Sequence, residues 1–287
     1  MKIKRPELVN QTQPAFQSTE NIPMADSRPS QENGVASKLS DQELTRDAIF
    51  RGVDYDSEEV LKRNLHSGIE FVSQTQTHTS NHRYTKVFHR ASEILKNNPP
   101  ERILSFGCSS GEEVENLALN FFTNDNQKFT GLDVNQKMLD LARANNPDPM
   151  RIDYMSSSNA KLFPDMKFDL VFAMSVLCVW PLSKGLDDLT KVFPFERFEK
   201  MLLALDGFLN PGGMLVICNS NYRFLDTKLS GGYSVIDAPE NYESGLENSE
   251  TGFVKLFGVD SMTLGEVRPY NPIFYRKKIY KSNHITL

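Results

Sequence analysis

The chain has only three cysteines in 287 residues. Cys108, Cys178 and Cys218 each lie in an apolar setting. A sparse, odd-numbered set carries no disulfide framework, and the absence of a CxxC or a His/Cys cluster leaves no metal-ligand spacing. Such thiols read as small buried hydrophobes of a reducing compartment. Long apolar runs are also lacking. The longest window, Leu170–Trp180, falls well short of a membrane span. The opening MKIKRPELVNQTQPAF has no apolar stretch of the signal-peptide kind. Together these absences lead us to expect a soluble, cytoplasmic protein. A surplus of positive charge is missing too. Lys plus Arg is 32 against 37 for Asp plus Glu, a net charge of −5, so nucleic acid is not expected as the main partner. We find no internal repeat.

Residues 1 to about 45 are rich in Gln, Ser, Asn, Pro and Glu, with isolated apolar residues only. Such a segment buries too little surface to offset its ordering entropy and is expected to be mobile. Residues 46–98 read as an N-terminal helical lid. Its last helix runs from about Tyr84 to Lys96, with Val87, Phe88, Ala91, Ile94 and Leu95 on one face. Pro99 and Pro100 stop it. The remainder, 99–287, reads as one Rossmann-like domain.

That domain is organised around Ile103–Val114, ILSFGCSSGEEV. A short apolar run enters a small-residue loop, Gly107 to Gly111, and a helical pattern follows through Val114, Leu117, Ala118 and Phe121. Strand, glycine loop and helix form the first βα turn of a nucleotide-binding sheet. The loop reads G-x-x-x-G rather than G-x-G-x-x-G. The two carboxylates after it, Glu112 and Glu113, would repel a pyrophosphate. An adenosine-bearing cofactor with a positive centre and no phosphate fits better. The acidic pair also suits the dipole of a helix start.

Further elements follow in order. Lys128–Asp133 reads as a second strand ending in a carboxylate, 22 positions after Gly111, the distance at which such sheets hold ribose hydroxyls. Asn135 can cap the next helix, with Met138, Leu139, Leu141 and Ala142 inward. Met150–Tyr154, Phe168–Met174 and Met214–Cys218 read as strands. A helix is expected over about Phe195–Leu209, and Asn210–Gly213 reads as a turn. Gly252–Val259 and Ile273–Tyr280 look like two closing strands. The alternation predicts an α/β fold: a doubly wound, Rossmann-like, seven-stranded and mostly parallel sheet with helices on both faces.

ILSFGCSSG, FTGLDVN, LFPDMKFDLVFAMSVL and LNPGGMLVI, in this order and spacing, resemble the successive motifs of class I S-adenosylmethionine-dependent methyltransferases. The resemblance covers roughly residues 84–220. It implies S-adenosyl-L-methionine as cofactor and a set of contacts for it. These are Phe106, Gly107, Cys108 and Gly111 along the loop, Asp133 at the ribose and Val134 at the adenine. Ser158 and Asn159 fall at the adenine edge, and Met174 beside the methyl group. Ser105 and Ser109 depart from the general family pattern, which has an acidic residue and a glycine there. Both are matched by the chemotaxis-receptor glutamate methyltransferases, whose loop is similar to GCSSGEE. By that likeness Arg83 is the candidate partner of the cofactor carboxylate.

Methyl transfer from a sulfonium needs alignment above all, and a base only where the nucleophile starts protonated. His82 and Tyr84 are the candidates for such a base. Trp180, Tyr222 and Arg223 follow the fourth and fifth strands, where substrate pockets form, and are the candidates for the acceptor site. The leading expectation is transfer to an oxygen or nitrogen of a small molecule. A protein-carboxylate methyltransferase and a non-catalytic cofactor-binding regulator are the alternatives.

Overall fold

The computed structural model describes residues 83–157, 166–180, 182–238, 253–269 and 272–279. The N-terminal segment 1–45, most of the expected lid, and His82, Ser158 and Asn159 lie outside these residues.

The chain enters through α1, Thr85–Ile94. It then alternates strand and helix: β1 Arg102–Phe106, α2 Glu112–Asn116, β2 Lys128–Asp133, α3 Gln136–Asn145 and β3 Ile152–Ser156. β4 is Phe168–Leu177, α4 is Phe195–Phe208 and β5 is Leu209–Ser220. Four short strands close the order: β6 Tyr233–Asp237, β7 Phe253–Phe257, β8 Thr263–Pro269 and β9 Ile273–Lys277. The main sheet has seven strands in the order β3-β2-β1-β4-β5-β9-β6. Strands β1 to β5 pair in parallel. β9 runs antiparallel to both of its neighbours.

A sheet covered on both faces needs strands that are apolar on both sides, and β4 meets that condition along most of its length. Leu170 and Phe172 face one side, with α1, α2 and α3. Val171 and Ala173 face the other, with α4. On the first side Phe88 of α1 meets Phe172 edge to face, ring centres 5.3 Å apart, the geometry aromatic quadrupoles favour. α2 passes directly into a π-helical turn at Leu117–Phe121. Asn135 caps α3, its side chain accepting from the Met138 N–H at 3.3 Å.

Several boundaries differ from the sequence reading. Asn210–Gly213 is no free turn but part of β5, where the pairing with β4 slips between Phe168 and Leu170. Gly212, at φ +81°, takes up the irregularity. Leu141 points to solvent, so α3 buries Leu139 and Ala142 alone of the four apolar positions named for it. The two expected closing strands do not pair with each other. Phe253–Phe257 forms a separate hairpin with β8, and Ile273–Lys277 slots between β5 and β6. The sequence reading missed β6 and β8. Both lie in stretches read as polar, and β6 is a mostly exposed edge.

Candidate functional site

The parallel strands end together on one side of the sheet, and among the described residues Arg83, Gly107, Gly111 and Asp133 lie at those ends. The loop after β1 bends back onto β2: the Gly107 and Cys108 N–H groups donate to the Leu132 carbonyl at 2.7 and 3.0 Å. Gly107 and Gly111 have φ of +80° and +99°, which only glycine adopts without strain. Their missing Cβ atoms make room for protein as well. At Gly107 a Cβ would sit 2.1 Å from a Val176 methyl carbon, and at Gly111 2.4 Å from the Tyr154 hydroxyl. The glycines are therefore demanded by the turn itself, before any ligand is considered.

Asp133, at the end of β2, is fixed by backbone donors. Ser109 N–H donates to Oδ2 and Asn135 N–H to Oδ1, each at 2.8 Å. Burial pushes this carboxyl up, and the N–H groups of Asn135, Ser109 and Val134 pull it back. Each carboxylate oxygen can accept a second hydrogen bond, so acceptor capacity remains for a hydroxyl pair. Ser157, past the end of β3, has a buried Oγ with no partner among the described residues.

The departures at Ser105 and Glu113 are coupled. Ser105 Oγ donates to Glu113 Oε1 at 2.8 Å. Burial raises the Glu113 carboxyl to about 7, against the Ser105 hydrogen bond and the nearby Arg83 charge. A carboxylate that the strand lacks is thus delivered beside it by the helix. Glu112 is turned outward onto Ser110.

Arg83 and Tyr84 reach the end of β4. The Tyr84 hydroxyl is 2.6 Å from Ser175 Oγ, Arg83 donates to the same atom at 3.5 Å, and Asn219 Nδ2 donates to it at 3.0 Å. Burial drives the Tyr84 phenol far up and favours its protonated form. Arg90, inside α1, is occupied by Asp237 and Glu93. Asp169 serves the frame, accepting from the Glu101 and Arg102 N–H groups and from Asn210.

The remaining selected residues divide. Phe106, Cys108 and Met174 are buried at the strand ends. Trp180 carries an indole N–H without a partner among the described residues, and the Lys184 ammonium lies 5.7 Å from its ring centre. Tyr222 is fully buried, donating its hydroxyl to the Phe193 carbonyl. Arg223 is partly exposed and paired with Glu266. Tyr222 and Arg223 both line a cavity of about 90 Å³ at the end of β5. Sequence reasoning passed over Ser175 and Asn219. Their signal is conformational: both are non-glycine residues at positive φ, +58° and +61°, which no residue pattern announces. Among the described residues no group of His, Cys, Asp and Glu could hold a metal ion, and no helix is long and apolar enough to cross a membrane.

A family described as a methyltransferase domain matches residues 104–217. By this match, residues 104–217 resemble a methyltransferase domain. The match runs from β1 to β5 and takes in the glycine loop, Asp133 and Ser175. No curated protein sequence matches the chain. Among solved structures the chain is similar to TehB from Haemophilus influenzae, at 14% identity over 67% of this chain and 62% of that one, TM-score 0.43. It is also similar to the N-methyltransferase NodS from Bradyrhizobium japonicum in complex with S-adenosyl-l-homocysteine, at 15% identity over 68% and 87%, TM-score 0.42. A third is StiE O-MT residues 961–1257, at 14% identity over 82% and 81%, TM-score 0.44.

Proposed function

We propose that the chain transfers the methyl group of S-adenosylmethionine to an oxygen or nitrogen of a small-molecule acceptor. The observation that carries this reading is the convergence, at one edge of a methyltransferase domain, of complementary groups for every part of that cofactor. Asp133 has acceptor capacity for the ribose hydroxyls. The orphaned Ser157 hydroxyl, with Ser158 and Asn159 beyond it, suits the adenine edge. Arg83 and Glu113 offer opposite charges for the carboxylate and ammonium of the methionine end. When bound, S-adenosylmethionine supplies an electrophilic methyl group. The protein's part is alignment, with reacting atoms roughly 3–3.5 Å apart. Buried Met174 and Tyr84 keep water from the space beyond β4. The positions after β4 and β5, among them Trp180, Tyr222 and Arg223, lie where an acceptor approaches, while His82 is the proposed base for an acceptor that must lose a proton.

The test is calorimetry with S-adenosylhomocysteine on the parent and on Arg83→Lys and Arg83→Ala. Micromolar binding is expected for the parent. Both variants should weaken it, with lysine, which lacks the planar fork, recovering only part. A parent that ignores S-adenosylhomocysteine yet binds NAD would sink the proposal.

A further inference from the structure

β4 does not reach its end as a regular strand. Met174 pairs with Cys218 and Leu177 with Ser220, so Ser175 and Val176 together stand against Asn219 alone. This is a β-bulge, rare between parallel strands and a means of re-aiming a side chain beside a functional site. Ser175 takes up the irregularity at φ +58°, where non-glycine residues are uncommon and strained. Along β4, Val171 and Ala173 face the α4 side, while Leu170, Phe172 and Met174 face the α1 side. A regular strand would therefore turn Ser175 towards α4. Instead its hydroxyl meets that of Tyr84 at 2.6 Å, and Tyr84 packs with Val87 and Phe88 on the α1 side. From β5, Asn219 Nδ2 donates to the same serine oxygen at 3.0 Å. The Tyr84 ring held in this way carries the Arg83 guanidinium, whose carbon lies 5.0 Å from the ring centre, within cation–π range. Arg83 Nη2 also donates to Ser175 Oγ, at a long 3.5 Å. The other bulge residue, Val176, lies against the glycine loop, with a methyl carbon 2.1 Å from where a Gly107 Cβ would stand. One bulge thus braces both the loop and the arginine.

We propose that Ser175 is a positioning residue for the cofactor: its hydroxyl, held by Asn219, fixes the Tyr84 ring and so sets the Arg83 guanidinium where it grips the cofactor carboxylate. The inference rests on the methyltransferase reading above and deepens it. A free arginine side chain samples many rotamers, and ordering it at the moment of binding lowers affinity. An arginine laid in advance on a fixed ring, with a hydroxyl beside its fork, is already ordered in the folded chain, so less is lost when the ligand arrives. Serine suits the hub because a hydroxyl both accepts and donates. It can take the Asn219 N–H and still share a hydrogen bond with Tyr84. Ser175 needs no contact of its own with the ligand. Because its role runs through Arg83, it is confined to ligands that carry a carboxylate. The nucleoside part, assigned to Asp133 at the end of β2, is untouched by it. A merely structural role, closing the end of β4, would instead act on all ligands alike.

The experiment is calorimetry on the full chain with S-adenosylhomocysteine and with methylthioadenosine, which keeps the nucleoside and the sulfur but lacks the amino-acid end. The parent is compared with Ser175→Ala, Arg83→Ala and the double variant. Ser175→Ala should weaken S-adenosylhomocysteine about fivefold, on the scale of one neutral hydrogen bond, and leave methylthioadenosine unchanged. Added to Arg83→Ala, it should weaken S-adenosylhomocysteine no further, the mark of two residues acting as one unit. A cooperative unfolding transition reports a folded variant. If Ser175→Ala lacks one, Ser175→Gly, which has no hydroxyl but accepts the positive φ, takes its place. Unchanged S-adenosylhomocysteine affinity in the folded variant overturns the proposal. So does an equal loss for both ligands, or the same loss in the Arg83→Ala background as in the parent. Where methylthioadenosine binds the parent too weakly to titrate, the Arg83→Ala background decides. A parent that fails to bind S-adenosylhomocysteine defeats the methyltransferase reading instead, so the two failures are distinguishable.

Discussion

The parallel part of the sheet, β1 to β5, and the antiparallel part, β9 and β6, obey different rules. In the parallel part nearly every strand residue is enclosed; Leu170, Val171, Phe172 and Ala173 are all fully buried. In β6 only Tyr233 is buried, and Val235 stands 46% exposed at the sheet edge. Polar groups also behave differently in the two. Inside the parallel part Ser105 and Ser175 are held by buried or half-buried partners, Glu113 for the first and Tyr84 and Asn219 for the second. On β6 and β8 the partners are ion pairs nearer the surface, Asp237 with Arg90 and Glu266 with Arg223. The lesson is that one sheet can combine a tightly specified frame with a lightly specified border, and that the proposed cofactor site lies in the frame, at the ends of β1, β2 and β4.

Truncation should expose that contrast most strongly. Phe172→Ala removes a ring packed on Phe88 and should cost about 3–5 kcal/mol in denaturant unfolding, whereas Val235→Ala should stay within about 0.5 kcal/mol. Equal costs would mean that the border is as tightly packed as the frame. Next comes the buried acid. The Glu113 carboxyl has an ordinary value of 4.5 and a folded value of about 7. Below the first value both folded and unfolded chains hold the proton. As pH rises between the two, the unfolded chain ionises first and stability falls; above about 7 the loss is complete. Glu113→Gln should therefore reduce the drop in stability between pH 5 and pH 8 by up to about 3 kcal/mol. An identical drop in parent and variant would show that the carboxyl ionises freely in the folded state. The smallest effect concerns binding. Asp133→Ala should weaken S-adenosylhomocysteine by roughly 1.5–3 kcal/mol, the range for hydrogen bonds to a charged group, while leaving a cooperative unfolding transition. An unaltered dissociation constant would place the ribose elsewhere.

Legibility followed the same division. Phe168–Met174, apolar but for Asp169, announces itself because burial on both faces requires a nearly continuous apolar run, and the Asn135 cap follows from a local hydrogen bond. β6 and β8 escaped notice because an edge strand and a small hairpin need no apolar pattern. β5 was truncated on paper because Pro211, Gly212 and Gly213 read as a turn, while the structure absorbs them as an irregularity in the pairing with β4. At the site, the described residues Gly107, Cys108, Gly111 and Asp133, chosen by motif, lie along the loop after β1 and the end of β2. Ser175 and Asn219 could not be chosen that way: their distinction is a backbone conformation and a shared hydrogen bond across 44 positions of sequence. The coupling of Ser105 to Glu113 was half visible, as two oddities whose connection only proximity reveals.

The placement of β9 bears on how the molecule comes into being. β6 pairs with β9 alone, and β9 follows it only after the β7–β8 hairpin. On a ribosome, β5 and β6 therefore emerge before the strand that joins them. Until it arrives, β5 presents an open flank of apolar residues, the kind of edge that recruits foreign strands. The last insertion is thus both the slowest contact to form, being distant in sequence, and the one that seals the sheet. Nascent chains halted before Ile273 are expected to need a chaperone's protection that the finished protein does not.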